Sequence, residues 1–261
     1  MGEETAVRYE VGEGVAKITL CRPEVLNAMN GDVFQGLLDL GQKAASDPEV
    51  RAVVVCGEGR AFCSGLDVSL FAEIGARPDI RFIIPHFQEC FSIYERMGKP
   101  TVAAVHGVAY GAGLQLAIAC DLRVASEDAR FAVWERRFGL VPDLGGTQRL
   151  PRLVGLSRAK DMVMTARVVE AAEAAAIGLA DRLVPAGNDV QAAMELAADL
   201  AAAPPLAVGL AKQLLAQALD TTVAAGLERE AVTQMVCLGS ADHREAVMAY
   251  LEKRKGRFEG R

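Results

Sequence analysis

The chain has 261 residues, 51% apolar and 24% charged, enough hydrophobic material for a sizeable core, which excludes a disordered protein. With 28 Lys plus Arg against 34 Asp plus Glu the formal charge is −6, and no basic stripe is present to follow a phosphate backbone, so no nucleic-acid partner is expected. The six cysteines, at 21, 56, 63, 90, 120 and 237, are far apart and form no C-x-x-C, which reads as reduced, mostly buried thiols of a cytoplasmic protein rather than a zinc site or a secreted disulfide framework.

Residues 1–10 are polar and acidic without an apolar run, so neither an export signal nor a transit peptide is expected there. Ala6 occupies the position where a myristoylation signal needs Ser or Thr. Two alternating runs, Val7–Val11 and Val15–Leu20, flank Gly12-Glu13-Gly14 and predict a hairpin. Between Asn30 and Ala45, Val33, Phe34, Leu37, Leu38 and Leu40 have the spacing of an amphipathic helix, ended by Asp47-Pro48. A strand is predicted at Ala52–Cys56, a helix through Ile80–Met97, a strand at Thr101–His106, a helix at Gly113–Cys120 and a strand at Leu122–Ala125. Strands alternating with helices mean an α/β core, and no fixed-period sequence repeat is evident. The stretch Val102–Cys120 is long and apolar enough to raise the question of a membrane span. It contains His106, Gln115 and three glycines, and reads instead as a buried strand, a glycine turn and a buried helix.

After about residue 190 no further strand signal appears. Ala207, Leu210, Ala211, Leu214, Leu215 and Ala218 share one helical face that begins at Pro204-Pro205, and helices follow at about Thr221–Leu238 and Ala241–Lys255. The chain therefore divides into a core at 1–195 and a helical region at 196–261. The Ala- and Leu-rich faces of that region need covering, by its own core or by another subunit.

Three segments carry candidate chemistry. Arg60–Asp67 follows a predicted strand and holds Ser64-Gly65, where backbone N–H groups can face a ligand; an ordinary strand-to-helix turn is the alternative. His106–Gly113 leads from a strand into a helix, so the Gly113 N–H would stand near a helix start; neither a P-loop nor a full dinucleotide fingerprint is present. Phe131–Pro151 holds two carboxylates eight residues apart, Glu135 and Asp143. Apolar neighbours would raise the pKa of Glu135 toward working range. The alternatives are that Glu135 pairs with Arg136, Arg137 or Arg149 and that Asp143 caps the following turn. The histidines at 86, 106 and 243 form no metal-ligand spacing with Cys, Asp or Glu, Trp134 reads as a pocket wall, and neither metal nor cofactor is expected.

Read together with Cys21–Met29 and the basic end Leu251–Phe258, these segments resemble the crotonase (enoyl-CoA hydratase/isomerase) superfamily over essentially the whole chain. The resemblance implies an α/β fold, a spiral of ββα units with a helical C-terminal region, assembled as a homotrimer or a dimer of trimers. It implies an acyl-CoA thioester as substrate, with two backbone N–H groups on the thioester oxygen at the positions matching Ser64 and Gly113. It places CoA contacts at Glu24, Val25 and Leu26 and at Ala61, Cys63, Leu66 and Asp67, with Lys253, Lys255 and Phe258 helping to hold the nucleotide, often from a neighbouring subunit.

The acid/base set departs from the hydratase pattern of two glutamates. The first position holds Gln115, an amide that can orient water but cannot take its proton. The second keeps Glu135, and Asp143 stands where hydratases commonly have Gly. This combination, with Phe87–Arg96 before Lys99-Pro100, resembles the dienoyl-CoA isomerase branch, which usually has a third acid where Gln115 stands. The expected activity is therefore a double-bond shift through a dienolate, with Asp143 as base at C2 and Glu135 as acid at the distal carbon, or with these roles exchanged. The alternatives are a 2-enoyl-CoA hydratase using Glu135 and a Gln115-held water, an aroyl-CoA dehalogenase-type hydrolase with Asp143 as nucleophile, a serine hydrolase built on Ser64 and His106, and a non-catalytic CoA-binding protein.

Overall fold

A computed structural model of the protein describes residues 5–70 and 78–261, so part of the acidic N-terminal stretch lies outside the described residues. The predicted hairpin is β1 (Val7–Gly12) and β2 (Val15–Leu20), paired antiparallel from Val7↔Leu20 to Gly12↔Val15. α1 (Gly31–Ser46) follows, its N-terminus capped by the Asn30 side chain accepting from the Val33 N–H. The chain continues through β3 (Ala52–Gly57), α2 (Ile80–Arg96), β4 (Thr101–Val105), β5 (Val108–Tyr110) and α3 (Ala112–Ala117). The next elements are β6 (Leu122–Ser126), β7 (Arg130–Ala132), α4 (Gly146–Val154), α5 (Leu156–Thr165), β8 (Val169–Glu170), α6 (Ala171–Ala176) and β9 (Arg182–Val184). Four helices close the chain: α7 (Asp189–Ala201), α8 (Pro205–Ala216), α9 (Val223–Gly239) and α10 (Ala241–Leu251).

The main sheet has the order β1-β2-β3-β4-β6-β9 and is parallel from β2 onward. A second, smaller sheet joins β5, β7 and β8, and isolated bridges Cys63↔Ala109 and Met29↔Leu66 extend its layer. Each turn of the spiral thus sends a long strand to the first sheet and a short extended piece to the second: β3 then residues 62–66, β4 then β5, β6 then β7.

β3 is buried along its whole length because both faces of the main sheet are covered. Val53 and Val55 point into a core shared with α1 and α2, where Phe34 stacks on Phe87 with ring centres 4.1 Å apart. Ala52, Val54 and Cys56 point the other way, onto Ala193, Leu196, Ala197 and Ala201 of α7. The division expected between residues 195 and 196 therefore falls inside a helix that is part of the core, and the separate helical region starts after it. The apolar stretch 102–120 is β4, β5 and α3, and no single helix among the described residues is long and apolar enough to cross a membrane.

Candidate active site

Where the chain leaves the carboxyl ends of β3 and β4, a cavity of about 380 Å³ opens between the two glycine turns and the segment after β7. The first turn is laced in place on both sides. Cys63 donates its N–H to the Val108 carbonyl at 2.9 Å and accepts at its own carbonyl from Tyr110 at 3.0 Å, while Ser64 donates its N–H to Leu26 at 2.9 Å. On the other edge Met29 donates to the Gly65 carbonyl at 2.8 Å and Asp67 donates to that of Met29 at 2.9 Å. Asn27, fully buried, adds side-chain bonds to the carbonyls of Glu58 at 2.9 Å and Ala61 at 2.8 Å.

This lacing corrects the expected donor pair. The Ser64 N–H is already used by Leu26, and Gly113 lies one residue beyond the cavity wall. Among the cavity-lining N–H groups that have no acceptor among the described residues, those of Leu66 and Ala112 are the ones that belong to the two glycine turns. Ala112 opens α3, where the first N–H groups have no intrahelical partner. Gly113 has a packing role: a Cβ there would lie 2.4 Å from the Cys63 carbonyl oxygen, so only glycine lets α3 approach the first turn this closely. That approach brings the two donors into one cavity.

The acids come from the segment after β7. Glu135 begins a 3-10 turn (Glu135–Phe138); its Oε1 accepts from Gln115 Nε2 at 2.6 Å, and its Oε2 is buried without a partner among the described residues. Burial raises its carboxyl above the usual range; hydrogen bonds from its own backbone and Gln115 oppose the rise, and the charge of Asp143 adds to it. Burial likewise raises Asp143, whose backbone carbonyl accepts from Gln88 Nε2 at 2.7 Å. The expected alternative pairings are absent among the described residues. Arg136 donates to the Thr165 carbonyl at 2.9 Å, Arg137 lies 4.6 Å from the centre of the Trp134 ring, and Arg149 binds Glu95 at 2.7 Å. Trp134, tilted against Tyr110, forms part of the wall, and α4 has no side-chain N-cap from Asp143 or any other residue.

Of the other residues singled out, Val25, Leu66 and Asp67 line the same cavity as Ser64, Gln115, Glu135 and Asp143. The Asp67 carboxylate faces the protein, held below its ordinary range by Ser69 and then Arg22, which it meets at 2.9 Å. Glu24 is exposed beside the cavity, Leu26 is half-buried at its edge, and Ala61 and Cys63 are buried beneath it; none of the four lines it. Desolvation pushes the Cys63 thiol up to about 12. The tail does not reach the cavity of its own chain. The Phe258 carbonyl accepts from Arg51, at the start of β3, and a six-residue strand puts about 20 Å between that end of the sheet and the cavity. Lys253, Lys255 and Phe258 do not line the cavity of the chain that carries them.

A Ser–His hydrolase pair is also excluded. Ser64 Oγ donates to the Val25 carbonyl at 3.2 Å, while the His106 ring nitrogens bond Asp189 at 2.9 Å and the Gly59 carbonyl at 3.1 Å. The free N–H pair and the two raised carboxyls, neither of which has an ion-pair partner among the described residues, suit a reaction in which a proton moves while negative charge collects on an oxygen.

Comparison with known proteins agrees with this chemistry. A model of the enoyl-CoA hydratase/isomerase family matches residues 10–261. The short-chain-enoyl-CoA hydratase of Clostridium acetobutylicum is 36% identical over 242 residues, 92% of each chain. The crotonyl-CoA hydratase of Syntrophomonas wolfei is 34% identical over 250 residues, 95% of this chain and 96% of that one. The crystal structure of an enoyl-CoA hydratase from Bacillus anthracis superposes with a TM-score of 0.93 at 30% identity, covering 98% of this chain and 100% of the other. The match takes in both donor turns and both carboxylates, and the chain belongs to the enoyl-CoA hydratase/isomerase family.

Proposed function

We propose that the protein shifts the double bonds of an unsaturated acyl-CoA. One observation carries this reading: two carboxyls, Glu135 and Asp143, line a single cavity, both raised by burial and neither beside a cation among the described residues, while the third position is an amide. The thioester oxygen accepts from the N–H groups of Leu66 and Ala112. Ionised Asp143 removes a proton from C2, and the electron pair of that C–H bond delocalises into the thioester, giving a dienolate whose oxygen the two donors stabilise. Protonated Glu135 then delivers its proton to the distal carbon, and the double bonds settle in their new positions. Asp143 ends protonated and Glu135 ionised, so the pair exchanges protons with water before the next turnover. Val25, Leu66 and Asp67 mark the path of the pantetheine arm, and the tail residues Lys253, Lys255 and Phe258 serve the nucleotide of a neighbouring copy in a homotrimer or a dimer of trimers.

Hydration of a 2-enoyl-CoA is the second reading, favoured by relatives that bear the names short-chain-enoyl-CoA hydratase and crotonyl-CoA hydratase. There Glu135 alone handles the proton. The deciding experiment offers 3,5-dienoyl-CoA and 2-enoyl-CoA to the same purified protein. Faster turnover of the dienoyl ester is expected; brisk hydration without any double-bond shift would replace this reading by the second.

A further inference from the structure

Gln115 lies buried in α3 with its carboxamide engaged on both sides. The amide oxygen accepts from the N–H groups of Leu144 and Gly146, each at 2.8 Å, and the NH2 group donates to Glu135 Oε1 at 2.6 Å. Chemistry fixes this orientation, since only the oxygen can accept from two N–H groups and only the NH2 can donate to a carboxylate. A Cβ at Gly146 would lie 2.8 Å from the amide oxygen, so glycine keeps the approach open. One side chain thus spans the turn that carries Glu135 and the loop that carries Asp143, whose next residue is Leu144. That loop has two further anchors, Gln88 on the Asp143 carbonyl at 2.7 Å and Arg149 on the Leu144 carbonyl at 3.0 Å, but neither reaches Glu135.

We infer that Gln115 is a positioning residue: it clips the two carboxylate-bearing segments together and, by occupying Oε1 of Glu135, reserves Oε2 as the oxygen that carries and delivers the proton. A proton on Oε1 would have to displace the amide donor, whereas Oε2 is buried and has no partner among the described residues. The clip thus sets where the acid's proton sits and fixes the acid relative to the base across the cavity. The inference rests on the proposed double-bond shift only for the identity of the reaction; any proton transfer through Glu135 uses the same clip.

The consequence runs against the sequence pattern. Gln115→Glu restores a pair of glutamates in composition, but it keeps the two bonds from Leu144 and Gly146 while replacing the donor at Oε1 by a second carboxyl. Asp143 is the other acid whose charge reaches Glu135, and Arg136, Arg137 and Arg149 are engaged elsewhere, so the Leu144 and Gly146 N–H groups hold the added charge in place and none of these arginines shields Glu135 from it. The added carboxyl therefore hinders the ionisation of Glu135 and makes it a weaker donor of its proton.

The test is a 13C NMR titration of glutamate side-chain carboxyls in the free protein, with Glu135→Gln to assign the resonance, together with steady-state kinetics. In Gln115→Glu the Glu135 titration is expected to move upward by about one pH unit or more. On whichever CoA ester the parent turns over, kcat is expected to fall at least about ten-fold with KM within about three-fold. Gln115→Met, which has no amide, should lose more in kcat; if it fails to fold, Gln115→Glu decides alone. An unshifted Glu135 titration in Gln115→Glu, or kcat within about two-fold of the parent in either folded variant, overturns the inference. A parent that hydrates rather than isomerises would refute the proposed reaction, yet the titration, made without substrate, still passes or fails the clip.

Discussion

Glu135 and Asp143 show how position sets the chemistry of one functional group. Each is a carboxyl raised by burial, and the proposed reaction needs them in opposite states. Asp143 must be ionised to take a proton, so activity falls as pH drops through its raised pKa, at a higher pH than for an ordinary aspartate. Glu135 must hold its proton, so activity falls as pH rises through its own raised value. The pH profile of kcat/KM should therefore be a bell displaced upward from the usual carboxylate range, and Asp143→Asn and Glu135→Gln should each lose about 10²–10⁴ in rate. Full double-bond-shifting activity in Asp143→Asn would leave Glu135 as the only acid/base group. Ser64 makes the opposite case. Its N–H is spent on Leu26 and its hydroxyl on Val25, so Ser64→Ala should keep turnover within about five-fold, well short of the loss expected from removing an oxyanion donor. A collapse of several orders of magnitude would make it a nucleophile.

Elements were legible in proportion to the length of their pattern. α1 buries a periodic apolar face and α2 a periodic, largely aromatic one, and β3 is a continuous buried run, so their places follow from the residues alone. β5 and β7 have three residues each and β8 two, too few for an alternation to register. The tail-like composition of α7 hid its place under the sheet, which depends on contacts with β2, β3, β4 and β6. The carboxylates were visible as side chains, whereas the Leu66 and Ala112 donors belong to the backbone and carry no residue signature. The duty of Gln115 was hidden for a related reason: two of its partners lie 29 and 31 residues away. A buried polar contact between elements yields the prediction proper to this scale. His106, at the end of β4, bridges Asp189 at the start of α7 and the Gly59 carbonyl in the loop after β3. The hydrogen bond to Asp189 raises the His106 pKa above its unfolded value and outweighs the opposing effect of burial. The resulting stabilisation is complete below the unfolded pKa of about 6.5 and is lost as pH rises through the higher folded value. His106→Gln should therefore lower the melting temperature most near pH 6, by the equivalent of about 1–3 kcal/mol, and much less near pH 9. A melting difference that does not change with pH would mean the pair is not an ion pair.

At the scale of the molecule the unfinished part is the surface of α8, α9 and α10. Val223 is 80% exposed and Tyr250 84%, with Leu215, Met235 and Leu251 also exposed, and a groove of about 930 Å³ runs between these helices. An apolar surface this extended is unusual for a chain that stays alone, and an interface is the ordinary reason for it. The tail points the same way, because it is anchored at the end of the sheet away from its own cavity. If a second copy covers this surface, the basic tail of one copy can serve the nucleotide of the next, and assembly and CoA affinity should fall together. Truncation after Leu238 tests this with little damage to the core. Asp242 accepts from Glu259 and Gly260, and the Arg261 carbonyl accepts from Ala241, so those bonds leave with the removed piece; the hydrogen bond from Arg51 to Phe258 is cut. Sedimentation should then show monomers in place of the proposed trimer or hexamer, with CoA esters bound at least about ten-fold more weakly, the loss of one or two charge-assisted contacts. A companion variant, Leu227→Glu with Met235→Glu, keeps the tail but spoils the surface, and it should reproduce both losses if the tail works only across an interface. Retention of CoA affinity in a monomeric companion would assign the tail to its own chain, and a truncated protein that stays trimeric would place the interface elsewhere.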